Sequence, residues 1–161
     1  MKAGEVLNKY QELKKEQKVL QFQISRFKGV SIEDIIETMT FSHAEGDRVQ
    51  TSDVSDKTGK IAVNYKKIAD RENDEWFSYL VSRLEYVNEE IEFFEYTVKE
   101  LSDGIGSIIW DMVIACMSWT EIEEKYHISH ATLGRYRKNA IKELETIYEM
   151  RDKQTEIYML G

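Results

Sequence analysis

The chain has 161 residues, 32% of them charged, with a net charge of −8, eight glycines and no proline. That length allows one ordinary domain or two small ones, and without proline nothing forbids long uninterrupted helices, so an all-α fold is expected. The acidic total argues against indiscriminate nucleic-acid binding. No run approaches the roughly 20 apolar residues of a membrane-spanning helix. The single Cys116 excludes an internal disulfide framework, and with no secretory leader evident the expected setting is the cytoplasm.

From the start of the chain, Val6, Tyr10, Leu13, Gln17, Leu20, Ile24 and Phe27 alternate in steps of four and three, the spacing of a helical seam. Such a helix either packs within its own chain or pairs as a coiled coil. Gln17, the one polar member, is placed to set register. Gly29 ends this helix, and "SIEDIIETM" predicts a short one over Ser31 to Met39, with Ser31 as N-cap and Asp34 completing the cap. The next stretch, "FSHAEGDRVQTSDVSDKTGK" from Phe41 to Lys60, loses apolar periodicity and is expected as the main loop, either a mobile linker or a functional segment. Helical pattern returns over Ile61 to Leu101, where Phe77, Leu80, Leu84, Val87, Ile91, Phe94, Val98 and Leu101 keep the 3-4 repeat. Glu72 and Trp76 break its phase, which predicts a stutter or kink near Asn73. The two long helices predict an antiparallel hairpin or a two-copy coiled coil over residues 1–101, a scaffold whose acidic face would repel DNA.

The glycines of "SDGIG", Ser102 to Gly106, mark a boundary, and residues 102–161 are expected as a second domain. Ile105, Ile109, Met112 and Cys116 predict a short helix with Cys116 as a buried small hydrophobe. In "SWTEIEEKYHIS", Ser118 and Glu121 form a capping box, Ile122 and Tyr126 face inward, and Ile128 sits in a turn before Ser129 caps a further helix. Two short helices joined by a tight turn, the second opening on a cap and rich in Arg and Lys, have the layout of a helix-turn-helix.

Positive charge concentrates here: Lys125, Arg135, Arg137, Lys138 and Lys142 stand in a stretch without an acid. With Leu133, Tyr136, Ala140 and Leu144 turned inward, His130, Ala131, Thr132, Arg135, Lys138 and Asn139 fall on the outer face. Arg135 is placed to bond the acceptors of guanine, His130 to donate to a base and Ala131 to meet a thymine methyl. Thr132, Lys138, Arg137 and Asn139 suit phosphate oxygens, as do the free N–H groups at the capped ends near Ser118 and Ser129. No glycine-rich phosphate loop, nucleophile constellation or paired catalytic acids appear, so no enzyme, catalytic residue or cofactor is expected. His127 and His130 lack a third ligand for a metal.

The segment "SWTEIEEKYHISHATLGRYRKNAIKEL" resembles the helix-turn-helix of region 4 of bacterial sigma factors, matching Ile122, Ile128, Ser129, Thr132, Leu133, Ala140 and Leu144 in spacing. In that family the start of the recognition helix reads the upstream promoter element, a role that the resemblance carries to His130, Ala131 and Arg135. The chain departs from the pattern at Glu123, where a small residue is usual, and at His127, where the turn usually has glycine. "MTFSHAEGDRVQTSDVSDKTGKIA" and the acidic heptad helix after it resemble the ArpU-type transcriptional regulators of Gram-positive prophages. Together these resemblances imply a sequence-specific regulator of phage genes that binds double-stranded DNA within reach of RNA polymerase; the helical seams, those of the N-terminal half foremost, are expected to pair two copies as a homodimer. The alternative is a DNA-packaging protein similar to terminase small subunits, or an assembly adaptor. The helix from His130 is expected to continue through Ile147, Tyr148, Arg151 and Tyr158, offering a second pairing surface beside the N-terminal half.

Overall fold

The computed structural model describes residues 1–27, 29, 54–102 and 104–161, with residues 54–65 taken as backbone only. The helix expected over Ser31 to Met39 and the first part of the expected loop lie outside the described residues. Among the described residues the protein is all helical, without a strand, and no helix is long and apolar enough to cross a membrane.

Helix α1 is Ala3–Ser25. Its first turn is closed by Lys2, whose carbonyl accepts from the amides of Glu5 and Val6 while the Glu5 carboxylate accepts from the Lys2 amide. The helix tightens at its end, where the Phe27 amide donates to the Ile24 carbonyl. Gly29 lies beyond it at φ +79°, a left-handed backbone that favours glycine, with the Asn73 side chain packed against it.

Helix α2 is Val54–Lys99, 46 residues or about 70 Å. It begins inside the stretch expected as loop: Val54 to Lys60 are helical, because Ser, Asp and Thr are poor but not prohibitive helix residues once a long helix extends through them. It also runs unbroken in secondary structure through Asn73, since backbone hydrogen bonding continues even where the apolar repeat changes phase.

A short helix α3, Ile105–Ile109, passes directly into a π-helical turn, Trp110–Ile114. Here the Ala115 amide donates to the Trp110 carbonyl and the Met117 amide to Asp111. The wider turn inserts a residue and rotates the next side chains about the helix axis. Ile105 and Ile109 are buried as expected, with Ile108 beside them, while past the wider turn Val113 is buried and the expected Met112 and Cys116 are not. Cys116 is exposed, at φ +55°, a correction to its expected burial. Helix α4, Trp119–Tyr126, and helix α5, His130–Leu160, complete the chain.

The chain forms two compact units, and the division does not fall at 102 as the glycines implied. One unit joins Met1–Val19 to Leu84–Gly161. Its core takes Val6, Leu7, Tyr10 and Leu13 from α1, Val87, Ile91, Phe94 and Val98 from α2, and Leu133, Ala140, Leu144 and Tyr148 from α5. Of the predicted α1 seam, Val6, Tyr10, Leu13 and Leu20 are buried, and Gln17, Ile24 and Phe27 are half-buried. Gln17 meets Asn88, donating from Nε2 to Oδ1 at 2.7 Å, so the polar member of the seam has a specific partner. Gly106 lets α3 lie against α2, because a Cβ there would stand 2.4 Å from the Val98 carbonyl oxygen. Glu90, buried, accepts from Arg151 at 3.2 Å, and the Arg151 guanidinium lies over the rings of Phe93 and Tyr148 at 4.7 and 4.6 Å. The other unit, Leu20–Arg83, buries Leu20, Ala69 and Leu80 and sets Phe27 against Phe77, while Phe22, Trp76 and Tyr79 remain exposed.

Candidate nucleic-acid interface

The C-terminal elements are held by a small core of Ile108, Ile122 and Leu133, walled by Met112, Met117, Trp119, Tyr126, Ile128 and Tyr136. Ile122 and Leu133 come from α4 and α5, so the two helices share one buried contact while their opposite faces meet solvent.

Both predicted caps are formed. Ser118 accepts from the Glu121 amide at 3.3 Å, and the Glu121 carboxylate accepts from the Ser118 amide at 2.7 Å, a complete capping box. That backbone hydrogen bond holds the Glu121 carboxyl below its ordinary value. Ser129 accepts from the Thr132 amide at 3.2 Å, and its hydroxyl shares a 2.9 Å hydrogen bond with that of Thr132. Between the helices the chain turns at His127, in the left-handed region at φ 52°, ψ 46°. The amides of His127 and Ile128 both donate to the Glu123 carbonyl. His127 thus holds a left-handed backbone that a residue with a Cβ adopts only under strain.

Not all five cationic residues of the acid-free stretch share one surface. Lys125 is taken by Asp111, Nζ to Oδ2 at 2.6 Å, and Tyr126 donates to the same oxygen at 2.6 Å. Burial pushes the Asp111 carboxyl up, but the hydrogen bonds from Lys125 and Tyr126 win and hold it below the usual range, and the Asp111 bond raises Lys125. Arg137 is half-buried and donates to Asn8 Oδ1 of α1 at 2.8 Å, so it is turned from the face on which phosphate contact was expected. It acts as a tie between α5 and α1.

The remaining three form a row. Arg135, Lys138 and Lys142 are spaced three and four residues apart, which puts them on one side of α5. All three are exposed, and none takes part in an ion pair among the described residues. Arg135 Nη2 donates to Thr132 Oγ1 at 3.2 Å, which links it to the Ser129 cap. Ala131 and Asn139, one turn before and after Arg135, are exposed on the same side, while Thr132 is half-buried at its edge. Lys142 was absent from the expected set, although its spacing from Arg135 and Lys138 was visible in the sequence.

His130 opens α5 with its side chain 76% exposed, and Nδ1 lies 2.7 Å from Glu123 Oε1. Its ring packs on Trp119 at 4.7 Å between centroids. Glu123, where a small residue was expected, thus bridges α4 to the first residue of α5 across the turn. No three His, Cys, Asp or Glu side chains converge as a metal site among the described residues. Compared with models of protein families, with curated proteins and with solved structures, the chain matches none of them.

Proposed function

We propose that the protein is a sequence-specific, double-stranded DNA-binding regulator of transcription, with α4, the turn at His127 and α5 acting as a helix-turn-helix of the sigma region 4 kind. The observation that carries this reading is the row of exposed cations Arg135, Lys138 and Lys142, without an ion-pair partner among the described residues, on a capped helix of an acidic protein. A helix laid in the major groove with that side inward sets Arg135 near base edges and Lys138 and Lys142 near phosphates. An arginine bonded twice to guanine supplies about 1–3 kcal/mol of discrimination. The acidic remainder discourages contact with arbitrary DNA, which leaves binding dependent on that one surface.

The ArpU-like resemblance gives the reading its setting, the control of prophage genes in the cytoplasm with RNA polymerase as a further partner. Homodimerisation belongs to the same proposal. Helix α5 continues past the core to Leu160, and Ile157, Tyr158, Met159 and Leu160 are each more than two-thirds exposed, an apolar end available to a second copy. The competing packaging role would need a ring-forming assembly, so light scattering separates the two: a dimer fits the regulator and a large ring does not.

The DNA reading is tested by selecting preferred sites from a random duplex library and measuring affinity by fluorescence anisotropy. Arg135→Ala is expected to relax preference at one base pair, and Lys138→Ala to weaken all sequences alike. Parent-like binding by both variants would place DNA elsewhere or nowhere.

A further inference from the structure

The geometry points to Glu123 as a positioning residue that fixes one tautomer of His130 and so makes its outer nitrogen a hydrogen-bond acceptor, selecting a base that offers an amino group. A carboxylate can only accept, so at the 2.7 Å contact with Glu123 Oε1 the proton must sit on His130 Nδ1. In the neutral ring Nε2 then carries a lone pair and no hydrogen. The ring lies against Trp119, tilted by 42° at 4.7 Å between centroids, while most of its side chain stays open to solvent at the tip of α5. Glu123 is only 25% exposed and belongs to α4, whereas its partner opens α5, so the bond crosses the turn and does not follow from helix spacing within one element.

This reverses the role expected of His130 from sequence, which was to donate. In the major groove an acceptor is matched by the amino group of adenine or of cytosine, while guanine, at N7 and O6, presents acceptors only. Phosphate, itself an acceptor, gives no hydrogen bond to neutral Nε2. The polarity therefore steers this side chain to a base edge and away from the backbone. The choice of base rests on the DNA-binding reading above; the tautomer does not, and the two are tested separately.

Long-range proton–nitrogen NMR of the full chain at about pH 8.5, where imidazole is ordinarily neutral, reads the tautomer directly. The chain has three histidines, and a His130→Gln variant assigns the signal. The expected result is a protonated Nδ1 and a bare Nε2; a protonated Nε2 would overturn the inference and leave the DNA reading intact. In site selection from a duplex library, one position should favour adenine or cytosine over guanine by about fivefold, the scale of one net hydrogen bond. Glu123→Gln, whose amide donates as well as accepts, should bring that position towards parity with the other positions unchanged. An unaltered preference in a variant that melts like the parent sinks the positioning role. Failure of the parent to prefer any sequence removes both the DNA reading and the base assignment.

Discussion

His127 turns the chain between α4 and α5 at φ 52°, ψ 46°, a conformation that a side chain with a Cβ enters at a cost of about 1–2 kcal/mol. His127→Gly removes that cost. It also loosens the unfolded chain, which takes back roughly 0.5–1 kcal/mol. The imidazole is exposed and makes no hydrogen bond among the described residues, so little is lost with it. The net expectation is a stabilisation of about 0.5–1 kcal/mol, or about 1–4 °C in Tm for a chain of this length. Differential scanning calorimetry of parent and variant measures it, with His127→Ala as the control that keeps the Cβ and should gain nothing. A His127→Gly variant that melts below the parent would refute the reasoning, by showing that the left-handed turn is not where the strain lies.

Two other sites give predictions of different kinds. Arg151→Ala strips the buried Glu90 of the guanidinium at 3.2 Å, leaving it the Met1 ammonium at 3.4 Å, and removes a cation from the faces of Phe93 and Tyr148, so urea unfolding should show a loss of about 2 kcal/mol. Replacing the pair together, Glu90→Gln with Arg151→Met, should cost less than the single change, and equal losses would contradict the pairing. Asp111 is held below its ordinary pKa in the folded chain, which means that its contribution is present above the unfolded value of about 4 and disappears as pH falls through the lowered folded value. Parent and Asp111→Asn should therefore differ in Tm at neutral pH and converge in acid, as followed by circular dichroism; a gap that widens in acid would reverse the assigned sign.

Much of the helical scaffold was legible because periodicity reports burial directly. Val6, Tyr10, Leu13 and Leu20 are buried as their spacing required, and Gln17 stood out as the polar member of the seam, although nothing in the sequence identified Asn88 as its partner. The caps at Ser118 and Ser129 were readable for a similar reason, since a cap is completed within three residues. What was hidden depends on contacts made at a distance. Asp111 neutralises Lys125 from 14 positions away, and Arg137 is drawn to Asn8 from 129 away, so a run of charge overstated the exposed basic surface. The π-helical turn at Trp110–Ile114 shifted the burial of Val113 and Cys116 by one residue, and no composition rule marks such a turn. The same distance effect gave Glu123 a role. Its carboxylate was an obstacle in sequence and became the partner of His130 once α4 and α5 were folded together.

One outward row of cations on α5 is set apart from Lys125 and Arg137, whose charged ends are bonded to Asp111 and Asn8. The salt dependence of DNA affinity tests this separation most directly, because each phosphate contact contributes about 0.9 to the slope of log K against log salt. Lys142→Ala, the exposed end of the row, should lower the slope by about that amount relative to the parent, while Arg137→Ala, whose side chain serves Asn8, should leave it unchanged. An unchanged slope for Lys142→Ala together with a reduced slope for Arg137→Ala would contradict the assignment of this face.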